Sequence, residues 1–370
     1  LKDLKGVSTT TSLAELGMDS MMSVEIKQTL EREFEIFLTA QDIRSLNFSK
    51  LQEMCAKQEE SDTKKESHNE VESVVGLKML IQVIGHGDVN PEMILRLPSK
   101  GETDREEVFL IPGIEGVGSV FLNLASKIKA PATCLQLGIG NDEMSIFDMA
   151  NKLLPHVLNR NKNRRHFVVA GYSYGASVAI ELMRQLEAKG LDGRLILIDG
   201  APQHLKTIID EHLQSKSKEE LQNSVLLGVL NMLVPSKTSE LSVELEKSTS
   251  WENKLENFIK HIPTDKFDMS VEHQKALCTA VYKRLLAAQS HDISTLSPIR
   301  ASITLIKPTL ASVRNASEDY GLSKVTNNTV EIYHVNGNHV TMLDNEKVAA
   351  AINGDAVEDA ESFKAEIMKK

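Results

Sequence analysis

Short apolar runs separated by longer amphipathic stretches organise most of this chain. The runs at residues 108–111, 133–137, 166–170, 194–198, 303–306 and 330–335 are rich in Val, Ile and Leu, and each predicts a buried strand. Between two of them, Ile146, Met149, Leu153, Leu154, Val157 and Leu158 recur at helical spacing and form a broad apolar stripe. Strands alternating with helices predict an α/β fold, a mostly parallel sheet with helices on both faces. Between Pro202 and Gln289 the strand pattern lapses and helical runs, such as 225–233 and 276–287, take over. An interruption of this size, after one strand and before the next, predicts a helical insertion over about 203–290 that caps the sheet edge.

The first part of the chain follows a different pattern. From Ala56 to Glu70 there is no large apolar residue, and Lys, Glu, Ser, Asp and Asn dominate. Such a stretch cannot pack a core and reads as a flexible charged linker. The expected organisation is a small helical piece (1–56), a linker (57–72), a large domain (73–355) and a mobile tail (356–370). In the small piece Leu13, Leu16 and Gly17 precede Asp19-Ser20. Met22, Ile26 and Leu30 follow, four residues apart on one helix face, with Glu25, Lys27, Glu31, Arg32 and Glu33 on the others.

Composition narrows the function classes. Hydrophobic residues make up 41% of the 370, enough for a core of domain size. The net charge of −10 argues against a nucleic-acid-binding face. Cys55, Cys134 and Cys278 are far apart and follow no metal-ligand spacing. They suit a reducing, cytoplasmic setting better than a disulfide framework, and no metal is expected. No apolar run reaches the roughly 18 residues of a membrane span. The chain starts at Leu1 without a charged and then apolar leader, and reads as a segment of a longer protein. The sequons at Asn47, Asn315 and Asn327 are read as chance matches.

The strongest chemical signal is Gly171-Tyr172-Ser173-Tyr174-Gly175, which follows Phe167-Val168-Val169-Ala170 and precedes a run of helix formers. A strand, a sharp turn carrying serine and a helix form a nucleophile elbow, the glycines standing where Cβ atoms would collide with neighbouring backbone. A serine needs a base to take its proton and an acid to orient that base. His339, in the loop Asn336-Gly337-Asn338-His339 after the last strand, stands in the position of the base; His334 falls within that strand and reads as structural. Two residues compete as the acid. Asp199 directly follows the apolar strand 194–198 and precedes Gly200, whereas Asp319 lies in a polar loop after the strand 303–306; Asp199 is favoured. An oxyanion needs donors: the backbone N–H of Tyr174, after the nucleophile, and that of Ile114, in the loop Pro112-Gly113-Ile114-Glu115-Gly116.

Ser20 has two readings from the residues alone. At the start of an amphipathic helix it is either an N-cap or an attachment point for a phosphodiester at the positive end of the helix dipole. The segment Leu16-Gly17-Met18-Asp19-Ser20-Met21-Met22-Ser23-Val24-Glu25 resembles the attachment site of an acyl carrier protein, in which the serine after Asp bears 4′-phosphopantetheine. That resemblance implies a covalent arm on Ser20 in a carrier lacking its first helix. A carrier, a linker and a Gly-Tyr-Ser-Tyr-Gly hydrolase together resemble the C-terminal end of animal-type (insect-like) fatty acid synthase over roughly residues 1–350. The resemblance rests most on 16–36, Ile114-Glu115-Gly116, 169–176 and Ile198-Asp199-Gly200. It implies an α/β-hydrolase thioesterase with the triad Ser173, Asp199 and His339, acting on a long-chain fatty acyl thioester to release free fatty acid. It also implies upstream synthase domains, a phosphopantetheinyl transferase as partner and a homodimeric parent. That family often has His-Pro before Ile-Glu-Gly, where this chain has Pro112-Gly113. A polyketide or peptide thioesterase that releases its product by cyclisation, and a decayed carrier module, are the alternatives.

Overall fold

A computed structural model of the chain describes residues 46–47, 50 and 92–363, apart from 103, 140–143, 161–165, 211–216, 263–269, 311–315 and 358–359. The chain divides into two compact units, Leu1–Ser67 and His68–Lys370. In the first, Leu46 is buried and the Lys50 amide donates to Asn47 Oδ1 at 2.8 Å. The Ser20 segment, the expected carrier helices and the expected linker lie outside the described residues.

The second unit is built on an eight-stranded sheet in the order β1-β3-β2-β4-β5-β6-β7-β8. The strands are β1 (Ile94–Arg96), β2 (Val108–Ile111), β3 (Ala132–Leu135), β4 (Val168–Tyr172), β5 (Arg194–Ile198), β6 (Ile303–Pro308), β7 (Val330–Val335) and β8 (Ala360–Phe363). β2 to β7 pair in parallel, and β1 and β8 close the two edges antiparallel. The helices are α1 (Leu122–Lys127), α2 (Ile146–Arg160), α3 (Tyr174–Glu187), α4 (Pro202–Ile208), α5 (Lys218–Leu233), α6 (Thr238–Glu246), α7 (Trp251–Lys260), α8 (Val271–Ser290) and α9 (Glu346–Asn353).

Both faces of the sheet are buried, which is why its strands read as continuous apolar runs rather than alternating ones. The two-residue period sorts their side chains into two cores. Phe109, Ile111, Val169, Leu195, Leu197, Ile303, Leu305 and Ile332 pack on one face, with Leu153 and Val157 of α2 and Leu182 of α3. Val108, Leu110, Ala170, Ile196, Ile198 and Ile306 pack on the other, with Leu124 of α1 and Val348 and Ile352 of α9. Each fully buried aliphatic side chain of this kind stabilises the fold by roughly 1.5–3 kcal/mol.

The helices α4 to α8 fill the interval between β5 and β6. Three are capped by serine: Ser217, Ser250 and Ser270 accept from the amides of Glu220, Asn253 and His273. Their apolar residues, among them Leu226, Leu230, Leu245, Phe258, Leu277 and Leu285, belong to the same core as the first sheet face. The insertion is therefore continuous with the sheet core.

Two edge strands were not expected from the sequence. β1 is three residues long, and β8 is Ala-Glu-Ser-Phe, a composition with weak strand preference. Residues 360–363, read above as part of a mobile tail, instead form β8 along β7, where they satisfy main-chain groups at an otherwise open edge.

Candidate active site

The elbow is assembled by close approach of backbone. A Cβ at Gly171 would stand 2.6 Å from the Gly175 carbonyl, one at Gly175 would collide with the carbonyls of Ile111 and Pro112, and one at Gly200 with the carbonyl of Ser173. Ser173 itself takes φ 53° and ψ −121°, a strained conformation for a residue with a side chain, costing of order 1–3 kcal/mol. The turn is held by the Ser173 amide, which donates to the Ile198 carbonyl at 2.9 Å. Ser173 stands at the N-cap of α3, yet its hydroxyl caps nothing.

Asp199 follows β5 with φ 43°, its amide tied to the Ile306 carbonyl at 2.8 Å. His339 lies in the loop after β7. Gly337 turns that loop at φ 123°, and Asn338 Oδ1 accepts from the amides of Val340 (3.0 Å) and Thr341 (2.9 Å). Tyr172 stacks on the His339 ring, with centroids 4.9 Å apart, and donates its hydroxyl to the His339 carbonyl at 3.0 Å.

These three loops bring Ser173, His339 and Asp199 into one line. His339 Nε2 lies 3.0 Å from Ser173 Oγ, and Nδ1 lies 2.6 Å from Asp199 Oδ2. All three are buried. The second carboxylate oxygen, Oδ1, accepts from the Tyr320 hydroxyl at 2.8 Å. Burial pushes the Asp199 carboxyl up, but the hydrogen bond and charge of His339, with smaller contributions from His204 and Tyr320, leave it below its ordinary value. It therefore stays ionised beside the imidazole. His204 stacks flat on Tyr320, with centroids 3.7 Å apart, and burial lowers it to about 4, so it is neutral at physiological pH.

Asp319, the rival acid, is engaged elsewhere. Its two oxygens accept from the amides of Gly321 (2.9 Å) and Ser323 (2.8 Å), which closes the turn that carries Tyr320. His334 is a half-exposed residue of β7 that faces Glu318 at 3.7 Å.

The loop after β2 carries Ile114 and Glu115, both fully buried. Glu115 Oε1 accepts from the Gly113 amide at 2.7 Å. Burial pushes this carboxyl up to about 7, against the opposing effect of hydrogen bonds from its own amide and that of Gly113 and of the charges of Arg284 and His339. Arg284 of α8 reaches into the same loop and donates to the Ile114 carbonyl at 2.5 Å and to the Gly138 carbonyl. Neither the Ile114 amide nor the Tyr174 amide donates a hydrogen bond to an acceptor among the described residues.

Sequence reasoning missed Tyr320, His204 and Arg284 as parts of this neighbourhood, and placed Glu115 in the oxyanion loop without a role of its own. Only Glu115 had a signal, its place beside Ile114; the others reach the site from distant helices and loops. Glu240, Glu244 and His261 bring three potential ligand atoms within 4.8 Å of one another on the insertion, where Lys237 and His261 already pair with the two carboxylates.

A parallel sheet with a serine elbow, a histidine and an aspartate at its carboxyl edge defines a hydrolase-like α/β domain. Residues 106–355 match the thioesterase domain family, and the chain belongs to it. Residues 1–57 match the phosphopantetheine attachment site family, which indicates a covalently attached phosphopantetheine. The chain is therefore a carrier region followed by a thioesterase domain.

Among curated proteins, the nonribosomal peptide synthetase ucdA of Aspergillus ustus is 27% identical over 268 residues, covering 69% of this chain and 27% of that protein. Among solved structures, the four-domain nonribosomal peptide synthetase holo-AB3403, bound to AMP and glycine, has a TM-score of 0.53 at 16% identity and covers 94% of this chain and 24% of that one. The RedJ thioesterase of the prodiginine pathway in Streptomyces coelicolor has a TM-score of 0.46 at 13% identity, covering 72% of this chain and 96% of that one. The chain spans about a quarter of the length of the two synthetases. The two family matches agree with the expectation from sequence at the level of a carrier followed by a thioesterase, and do not single out animal-type fatty acid synthase. No helix among the described residues is long and apolar enough to cross a membrane.

Proposed function

We propose that this chain is the release segment of an acyl-assembly enzyme, with Ser173 as nucleophile, His339 as base, Asp199 as its orienting acid and Ser20 as the residue bearing the arm. The observation that carries this reading is the continuous line from Ser173 Oγ to His339 Nε2 at 3.0 Å and from Nδ1 to Asp199 Oδ2 at 2.6 Å. The bound arm would supply a thiol that carries the acyl chain as a thioester.

His339 Nε2 takes the proton as Ser173 Oγ bonds to the acyl carbon. The amides of Ile114 and Tyr174 receive the negative charge on the acyl oxygen. The C–S bond then breaks, and His339 returns its proton to the departing thiol. In the second half His339 deprotonates a water; its oxygen bonds to the acyl carbon, the bond to Ser173 Oγ breaks and that oxygen is reprotonated. Throughout, Asp199 holds the imidazole in its working tautomer and balances the charge it gains.

The substrate we favour is a long-chain fatty acyl group released as free acid in an animal-type fatty acid synthase. The support is the resemblance of 16–36, 169–176 and Ile198-Asp199-Gly200 to that family. The parent would carry further synthase domains, act as a homodimer and meet a phosphopantetheinyl transferase in the cytoplasm. Release of a peptide or polyketide, by water or by an internal nucleophile, is the second reading, favoured by the likeness to ucdA and AB3403.

The test is product analysis with long-chain acyl-pantetheine and peptidyl-pantetheine thioesters. Linear fatty acid from the first, and a loss of about 10⁴-fold or more in Ser173→Ala, is the expected result. Turnover confined to the peptidyl substrate, or a cyclised product, would reject the fatty acyl assignment. Unchanged hydrolysis by Ser173→Ala would reject the mechanism.

A further inference from the structure

The peptide groups on either side of the one that carries the Ile114 amide are held by two buried ionisable residues. On one side Glu115 Oε1 binds the Gly113 N–H at 2.7 Å. On the other, Arg284 Nη1 binds the Ile114 carbonyl at 2.5 Å, and its Nη2 binds the Gly138 carbonyl. The Gly113–Ile114 peptide lies between these two anchors, and its own carbonyl accepts from the Gly116 amide at 3.1 Å.

Several features argue against simple space-filling. Arg284 is 4% exposed. A buried guanidinium that spends its donors on main-chain carbonyls is costly compared with an apolar side chain of the same size. Its planar fork presents two nitrogens in fixed directions, one to each carbonyl, where a lysine would have to serve both from a single nitrogen. The loop is shaped to receive it: Gly116, at φ 76°, leaves vacant the space a Cβ would occupy, and the guanidinium stands there. Glu115 is fully buried, and its Oε2 has no partner among the described residues. That oxygen sits beside the position a Cβ on Gly113 would take, close to Tyr172, the residue that stacks on His339.

We propose that Arg284 and Glu115 are positioning residues for the Ile114 amide, and that the helical insertion, through Arg284, sets the oxyanion geometry at Ser173. This rests on the reading of Ser173 as nucleophile and Ile114 as donor. The consequence is that α8 does more than cover the sheet edge: a shift of α8 moves a donor of the reaction.

The test uses the 370-residue chain with a long-chain acyl-pantetheine thioester. Wild-type protein is first labelled with a fluorophosphonate; failure to label Ser173 would overturn the underlying reading and the inference with it. With labelling established, Arg284→Ala is expected to lose roughly 10- to 100-fold in kcat, KM changing by less than about 3-fold, because a displaced donor weakens the transition state more than the ground state. Added guanidinium ion should restore part of that kcat in Arg284→Ala and have no effect on wild type. Arg284→Lys, which keeps the charge but not the fork, should remain impaired. Full kcat in a folded Arg284→Ala, or a loss that tracks thermal stability and is not rescued by guanidinium, would overturn the proposal. Should Arg284→Ala fail to fold, Arg284→Lys decides alone, and full kcat there would overturn it.

Discussion

Asp199 has both carboxylate oxygens engaged, one by His339 at 2.6 Å and one by the Tyr320 hydroxyl at 2.8 Å. A buried carboxylate with one oxygen left unpaired would cost about 1–3 kcal/mol. Tyr320→Phe is therefore expected to lower stability by about that amount in denaturant unfolding. It should also reduce kcat about tenfold, since Asp199 would be freer to turn away from the imidazole. A Tyr320→Phe variant equal to wild type in both would show that the second oxygen needs no partner. The residues of the line itself were legible: Ser173 from its glycines, His339 from its loop after the last strand, Asp199 from the apolar strand before it. Tyr320 was not. The sequence drew attention to its neighbour Asp319, whose carboxylate closes the turn that delivers the tyrosine. A polar loop shows which residues are present but not which of them faces inward.

At the scale of elements, the six inner strands were readable because burial on both faces makes them continuous apolar runs. The edge strands β1 and β8 were not, because an edge demands main-chain pairing more than apolar side chains. The loop after β2 is an intermediate case. Its position led to the proposal of an oxyanion donor at Ile114, but a fully buried glutamate gave no sign of its state. Glu115 has its carboxyl pushed up to about 7 from an ordinary 4.5, with Arg284 and His339 the charges that oppose the shift and Tyr172 and Cys134 the groups it raises in turn. A raised carboxyl favours the folded state fully below about pH 4.5 and loses that contribution as pH rises to 7 and beyond. Gln keeps the acceptor for the Gly113 amide and cannot ionise. Glu115→Gln should therefore gain stability relative to wild type between pH 5 and pH 8, by up to about 3 kcal/mol. Thermal unfolding across that range measures it, and a difference independent of pH would show that Glu115 does not titrate there.

The whole molecule joins two units that match a phosphopantetheine attachment site and a thioesterase domain. Tethering raises the effective concentration of a bound chain at the second site, into the millimolar range for short flexible linkers. That arrangement distinguishes a release segment from a free-standing lipase, and it gives Ser173 its proposed meaning as the residue that takes what Ser20 holds. The most direct test loads the chain with a long-chain acyl-phosphopantetheine group from the corresponding acyl-CoA, using a phosphopantetheinyl transferase, and follows intact mass with time. The account predicts that Ser20 gains the loaded arm, that wild type then loses the acyl group as linear free acid, and that Ser173→Ala keeps it. Loss of the acyl group from Ser173→Ala at the wild-type rate would contradict it.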